Sequence, residues 1–244
     1  MKDIFNENVP LKTETPAFAK HVLPAVPLSE VYLEDCVTAL KRYADNHFDL
    51  AIVDPPYGIG ENGQRNVTGD RPTAKWKNPK SQHYVVFDDS EIPTDEYWDQ
   101  LFRVSKNQIV FGGNYFTEYL PPSKGWIVWD KQADIKEHLS MCELAWSSFD
   151  RKCNKFEYLW AGFKKKHQVK RIHPTQKPID LYDWILLHYA KQNDLVLDTH
   201  LGSGSSRIAA YKGGFNFVGF EIDQEYYNNQ EKRFNDFKSQ LRLF

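Results

Sequence analysis

Two consecutive prolines, Pro55-Pro56, stand one residue behind an apolar run, Phe48-Asp49-Leu50-Ala51-Ile52-Val53. The run has the length and β-branching of a buried strand. Prolines lack the N–H that a sheet ladder needs, so the strand has to end there. Asp54 is therefore presented at the C-terminal edge of a strand read as parallel, the edge on which open α/β sheets bind ligands. A chain of 244 residues with 41% hydrophobic content is long enough, and apolar enough, for one large α/β domain with a real core.

The order of residues at this edge suggests a chemistry. An ionised Asp only accepts hydrogen bonds, and a proline carbonyl stays free to accept. Asp54 and the Pro55 carbonyl can together receive both hydrogens of an –NH₂ group, while Pro56 fixes the turn and Tyr57 offers a flat face for a planar ring. The plainer alternative is a strand end with a proline turn and a solvated carboxylate.

A second unit lies far downstream. Leu195-Val196-Leu197-Asp198 reads as a strand and Thr199-His200-Leu201-Gly202-Ser203-Gly204 as a tight loop. Ser205 is placed to cap a helix ending at Gly213-Gly214, and Phe217–Phe220 is a further strand ending in Glu221. Strand, glycine loop, helix, strand and acid form a nucleoside-binding unit: the glycines admit a ligand close to the backbone, and the acid accepts from ribose hydroxyls. A nicotinamide enzyme would want a third glycine where Arg207 stands.

The remaining chain fits around these two anchors. Residues 1–29 carry Pro10, Pro16, Pro24 and Pro27 and read as an extended arm ahead of a domain spanning 30–244. Val31-Tyr32-Leu33 is a strand followed by a helix from Cys36 to about Ala44, with Asp35 either at a ligand edge or capping that helix. Residues 61–80 form a loop with Arg65, Arg71 and Lys75. So long a loop is functional or disordered, and here it could close over a bound base and touch phosphate. A helix over Tyr97–Arg103 and a strand over Gln108–Phe111 follow. Trp126–Trp129 and Glu143–Trp146 read as an antiparallel pair at the sheet edge.

Net charge is −2, so any nucleic-acid contact has to be local. Residues 151–172 supply such a place: Arg151, Lys152, Lys155, Lys164, Lys165, Lys166, Lys170 and Arg171 face a single acid, Glu157, with Phe156, Tyr158, Trp160 and Phe163 between them. The alternative is a solvated face. His173-Pro174-Thr175-Gln176-Lys177-Pro178 opens a helix with Ile179, Tyr182, Leu186 and Tyr189 on its apolar side. The final helix, from Gln224, sets Tyr227, Phe234, Phe237, Leu241 and Phe244 on one face, for sheet packing or a subunit contact. Cys36, Cys142 and Cys153 are too scattered for a zinc site or a disulfide framework, which fits a reducing cytosolic compartment. No apolar run reaches membrane-spanning length, and no signal-peptide core opens the chain.

Asp54-Pro55-Pro56-Tyr57 resembles the catalytic tetrad of amino-group DNA methyltransferases, which methylate adenine N6 or cytosine N4 using S-adenosylmethionine (SAM). Asp198, Gly202, Ser203 and Gly204 match the family's D-P-F-x-G-S-G-T-T motif, with Thr199 and His200 replacing Pro and Phe. Tetrad first and SAM motif last, with a basic interval between, resembles the β class of the family. The resemblance covers about residues 30–240. It implies a Rossmann-like, mostly parallel seven-stranded sheet with one antiparallel strand, and a short recognition insert at about 151–172. It implies a SAM site built from Asp35, Thr175, Lys177, Asp198, Gly202, Ser203, Gly204, Ser205 and Glu221, with Thr175 and Lys177 at the methionine end. It implies base flipping, double-stranded DNA as partner, no metal, and adenine before cytosine, since cytosine-N4 enzymes more often resemble S-P-P-Y. Cytosine N4, or a non-catalytic DNA-binding relative, are the alternatives. A homodimer, a restriction endonuclease partner and a prokaryotic or phage source would each fit.

Overall fold

In the computed structural model, which describes residues 26–60, 89–132, 140–161, 164–165 and 170–241, the run behind the prolines forms β2 (Leu50–Val53), buried along its whole length. Its side chains alternate. Leu50 and Ile52 enter one apolar cluster, Ala51 and Val53 the other, as the period of two requires for a strand with helices on both faces. Complete burial of such a side chain contributes about 1.5–3 kcal/mol, so neither proline turn nor loop could displace this strand from the centre of the sheet.

The sheet gathers β1 (Ser29–Leu33), β2, β3 (Gln108–Phe111), β4 (Ile127–Asp130), β5 (Cys142–Ser147), β6 (Asn154–Glu157), β9 (Leu195–Asp198) and β10 (Asn216–Glu221) in the order β1-β10-β9-β2-β3-β5-β4-β6. Only β5 runs against its neighbours, β3 and β4; every other pairing is parallel. Two short strands, β7 (Trp160–Ala161) and β8 (Lys164–Lys165), make a separate ribbon. On one face lie α3 (Ile179–Tyr189) and α4 (Ser205–Gly213), whose Leu181, Ile185, Ala209 and Ala210 are buried with Ile109 and Val196. On the other lie α1 (Cys36–Leu40) and α2 (Asp95–Val104), whose Ala39, Leu40, Trp98 and Leu101 meet Val110, Leu197 and Phe220.

Several expectations change. The sheet has eight strands rather than seven because the basic interval supplies β6 at its edge. Phe156 and Tyr158 there pack on one another and against α3 through Trp184 and Asp180, so they serve the core. The pair β4–β5 is antiparallel as expected, but β5 is interior and β6 takes the edge. Helix α1 stops at Leu40, short of Ala44.

The closing helix, α5 (Gln224–Leu241), turns Tyr226, Gln230 and Phe234 inward, with Tyr227 and Phe237 half-buried; Phe244 lies outside the described residues. That register follows from Arg207. Its guanidinium lies 3.8 Å from the Phe234 ring centroid and donates to Gln230 Oε1 at 2.9 Å and to the Ser29 hydroxyl at 3.1 Å. The residue that occupies the missing glycine's position thus ties β1, α4 and α5 together. The N-terminal arm up to residue 25 and the loop carrying Arg65, Arg71 and Lys75 lie outside the described residues.

Candidate active site

Neighbouring strands bring the two anchors together. β2 pairs with β9 in parallel, Leu50 opposite Val196 and Ala51 opposite Leu197. Asp54 and the loop after Asp198 therefore leave the same edge side by side. β10 and β1 extend the row, Gly219 opposite Asp198 and Leu33 opposite Glu221. Asp35, Glu221, Asp198 and Asp54 thus all end strands at the C-terminal edge of one sheet, where a ligand would meet them.

Both oxygens of Asp54 are engaged. The Tyr57 hydroxyl donates to Oδ1 at 2.6 Å, and the Lys177 ammonium donates to Oδ2. Lys177 is buried, and its charge is held by Asp54 and by Glu143 Oε2 at 3.5 Å. Burial alone would lower its pKa, but these two carboxylates reverse the sign and raise it. Glu143 is shifted the other way: burial opposes its ionisation, yet Lys177 and Lys131 hold it below its ordinary value. The sequence expectation set Lys177 toward the methionine end of SAM; here it faces the tetrad.

The turn after Asp54 is fastened by Asp89, whose Oδ1 accepts from the backbone N–H of Tyr57 at 2.6 Å and of Gly58 at 3.2 Å. Pro55 is buried and Pro56 half-buried beneath it. The Tyr57 ring stacks on Tyr115 with centroids 5.0 Å apart and meets Phe116 edge-on. Gly112 makes room for that ring. Its φ is +66°, and a Cβ there would fall 2.3 Å from Tyr57 Cε1, so no other residue fits without moving the tyrosine. Burial and the adjacent Asp54 push the Tyr57 phenol well above its ordinary value, so it remains a donor.

The glycine loop is built as a cradle. Gly202 and Gly204 both take positive φ, and Gly204, rather than Ser205, caps α4. The Ser205 hydroxyl instead donates to the Lys177 carbonyl at 2.8 Å, and Ser203 meets it at 3.2 Å. Arg233 donates to the Ser203 carbonyl at 2.7 Å. Glu221 accepts from the N–H groups of Gly202 at 2.8 Å and Asp223 at 2.9 Å. Each bond occupies one acceptor site on a carboxylate oxygen, so capacity remains for further donors. Asp35 accepts from the Thr38 N–H and hydroxyl through Oδ1, so it is the cap of α1 while standing on the edge row. The Thr175 hydroxyl lies 3.0 Å from His173 Nδ1, and the His173 ring packs on Tyr226.

Thr199 and His200 fit this loop without the family's Pro and Phe. The Thr199 hydroxyl lies 2.8 Å from the Tyr97 hydroxyl and 2.9 Å from His200 Nδ1. Burial pushes His200 down to about 4, so its ring is a neutral, stacking-competent surface against Tyr97.

Asp198 is pushed up to about 7 by burial, against the pull of hydrogen bonds from the Ser206 hydroxyl and the His200 N–H. A carboxylate raised in the folded state gives stability that is whole below its unfolded value, about 3.9, and that is lost as pH rises through about 7. Asp198→Asn removes this dependence and retains His173 and His200, whose buried neutral rings favour the folded state as pH rises from about 4. Melting temperatures of both proteins should therefore diverge in favour of the variant between pH 4 and 7. Parallel curves would mean that Asp198 is not held at a raised value.

Of the basic residues expected at DNA, Lys170 is exposed, Arg171 lies 5.5 Å from the Trp160 ring centroid, and Lys164 and Lys165 form β8, paired with Ala161 and Trp160. Lys155 pairs with Glu157 and Arg151 packs on Tyr189, so part of the interval's charge is spent within the domain. Lys166 lies outside the described residues, as do Arg65, Arg71 and Lys75. Sequence reasoning missed Asp89 and Glu143. Asp89 carries no spacing signal, whereas Glu143 could have been noticed as a lone acid opening the apolar run that forms β5.

The chain is similar to known DNA methylases. A family model described as DNA methylase matches residues 128–232. The Type II methyltransferase M2.MboI of Moraxella bovis is 20% identical over 252 residues, covering 87% of this chain and 92% of its own. Among solved structures, the M1.HpyAVI–SAM complex superposes with a TM-score of 0.54 at 20% identity, covering 84% of this chain and 98% of the other. The cytosine-N4-specific PvuII DNA methyltransferase gives 0.53 at 12% identity, covering 89% and 94%.

Proposed function

We propose that this chain is an amino-group DNA methyltransferase of the N6/N4 kind, like the DNA methylase family whose model matches residues 128–232, and that it methylates adenine N6 in double-stranded DNA using SAM. One observation carries the reading: an amine-accepting carboxylate, Asp54, leaves the sheet edge directly beside a glycine cradle that ends in an acid, Glu221.

The cradle fits the cofactor by its chemistry. Gly202 and Gly204 offer backbone without side chains over the loop, and Glu221 retains acceptor capacity for two vicinal hydroxyls. Asp35 stands beside it on the edge, and the neutral His200 gives an apolar ring face. When bound, SAM supplies a methyl group made electrophilic by its sulfonium.

The chain's own residues do the remainder. Asp54 and the Pro55 carbonyl accept from the base –NH₂, drawing its lone pair out of conjugation so that nitrogen can act as nucleophile. Asp54 also offsets the positive charge that nitrogen gains as the methyl leaves sulfur for nitrogen, until one of the two amine protons passes to solvent. Tyr57 holds Oδ1 of Asp54 through its hydroxyl, and its stack with the exposed Tyr115 forms an aromatic wall for the base. Asp89 and Gly112 fix where that ring lies. Much of the acceleration comes from holding amine and methyl in line. Exposed Lys170 and the residues of the basic interval supply phosphate contacts.

The adenine preference rests on Asp at the tetrad's first position. The test is to incubate the purified protein with labelled SAM and unmodified duplex DNA, then digest the DNA and identify the labelled nucleoside. N6-methyladenosine as the deoxynucleoside is the expected product. N4-methyldeoxycytidine would transfer the same chemistry to the other base, and no labelled nucleoside would point to a DNA-binding relative without turnover.

A further inference from the structure

Four side chains of alternating charge run from the flank of the sheet to Asp54. Lys131, just past β4, lies 2.6 Å from Oε1 of Glu143 on β5. The other Glu143 oxygen is 3.5 Å from Lys177 Nζ, which donates to Asp54 Oδ2. The Lys177 side chain is 4% exposed, and its ammonium lies 4.6 Å from the Phe111 ring centroid. A lysine at that depth stays charged only when paired.

The two pairings are unequal. Lys177 is hydrogen-bonded to Asp54, while Glu143 Oε2 is buried and accepts no hydrogen bond. The arrangement contains a conflict. The cation that aims Asp54 also competes for the charge with which Asp54 must meet an amine turning positive. A second carboxylate on the far side of that cation reduces the competition by taking a share of it.

We infer that Glu143 is a positioning residue for the transfer step: it draws the Lys177 ammonium partly away from Asp54, leaving Asp54 aimed yet still able to receive the target amine. Lys131 moderates this by engaging the opposite Glu143 oxygen. The cradle meets this chain of charges only through the Lys177 backbone, whose carbonyl accepts from Ser205, so a change of charge at Glu143 leaves the groups that face the cofactor in place. The inference rests on the amine-methylation reading above.

The experiment compares wild type, Glu143→Gln, Glu143→Asp and Lys131→Met in single-turnover methyl transfer, with calorimetric SAM affinity and melting temperature for each. Glu143→Gln is nearly isosteric and removes only the charge. Its transfer rate should fall about tenfold or more, by analogy with loss of the hydrogen-bonding partner that orients a metal ligand. Its SAM affinity should stay within about twofold, a change of under 1 kcal/mol. Glu143→Asp should recover part of the rate. Lys131→Met frees Glu143 for Lys177 and should raise the rate about two- to threefold, as expected for loss of one partly exposed ion pair.

The opposite signs separate this device from mere structural support, which would slow both variants in step with their melting temperatures. A wild-type rate in Glu143→Gln, or SAM affinity falling together with rate, would overturn the inference. Should Glu143→Gln not fold, an unchanged or slower rate in Lys131→Met overturns it equally. A wild-type protein that transfers no methyl group would instead defeat the underlying reading.

Discussion

Asp54→Ala should lose methyl transfer by at least about 10²–10³-fold, as when one preorganised electrostatic group is removed from a reaction centre. The protein should remain folded, because Lys177 keeps Glu143 as a partner when Asp54 is gone. The carboxylate's value lies mainly where the target nitrogen becomes positive, so the loss should appear in kcat far more than in KM. SAM affinity should hold, since the Asp54 carboxylate accepts from Tyr57 and Lys177 while Glu221 accepts from Gly202 in the cradle. Asp54→Asn sharpens the result. It keeps one carbonyl acceptor and removes the charge, so a rate near that of Ala assigns the effect to charge, and a rate near wild type assigns it to hydrogen bonding. The measurement is single-turnover transfer of labelled methyl to DNA with enzyme in excess. Near-normal transfer in Asp54→Ala would mean that the reaction centre lies elsewhere.

Lys177→Met should be the most destabilising change in the site. Methionine fills much the same space, but Asp54 and Glu143 are left at the edge of the core without their shared cation. Removing one member of a buried ion pair typically destabilises by about 3–5 kcal/mol, and urea denaturation followed by far-UV circular dichroism reads it directly. The pH dependence gives a sign to check. Glu143 is held below its ordinary value, so in wild type its contribution is present above the usual carboxylate range and lost on acidification through its lowered value. The gap between variant and wild type should therefore narrow in acid. If Lys177 acted chiefly on the SAM carboxylate, stability would barely move and calorimetry would show weakened SAM instead.

How far the chain could be read from its residues varies from element to element, for physical reasons. β2 and β9 were legible because each is a short apolar run closed by residues that cannot continue it, Pro55-Pro56 in one case and the glycine loop in the other. Asp54 at a C-terminal strand edge followed from the prolines, whereas the row it forms with Asp35, Glu221 and Asp198 depends on strand pairings remote in sequence. The count of strands did not follow, because β6 is half-exposed and rich in charge, and such a segment looks like a solvated loop until Ile127–Asp130 pairs with it. The partner of Lys177 was illegible for a similar reason. Glu143 reaches it only because β5 is inserted backwards between β3 and β4, a pairing that no local pattern encodes. Arg207 could be seen as a missing glycine but not as the tie between three elements, since its partners Ser29 and Gln230 are remote in sequence. Gly112 carries no such signal, because its need for the space under Tyr57 is a matter of tertiary contact.

The position of β9 has a consequence during synthesis. It lies in the middle of the sheet, between β10 and β2, yet is made after β2, β3, β4, β5 and β6. While a ribosome is still adding residues beyond β6, the inner side of β2 is an open edge, with backbone groups awaiting a strand that does not yet exist. Such an edge invites pairing with another chain, and contacts so distant in sequence form slowly. Until β9 is made, any part of the sheet that has formed carries the complete tetrad without the glycine loop that stands beside it in the finished fold. Only the late insertion of β9, with β10 and then β1 docking outside it, both seals that edge and sets the two halves of the site together.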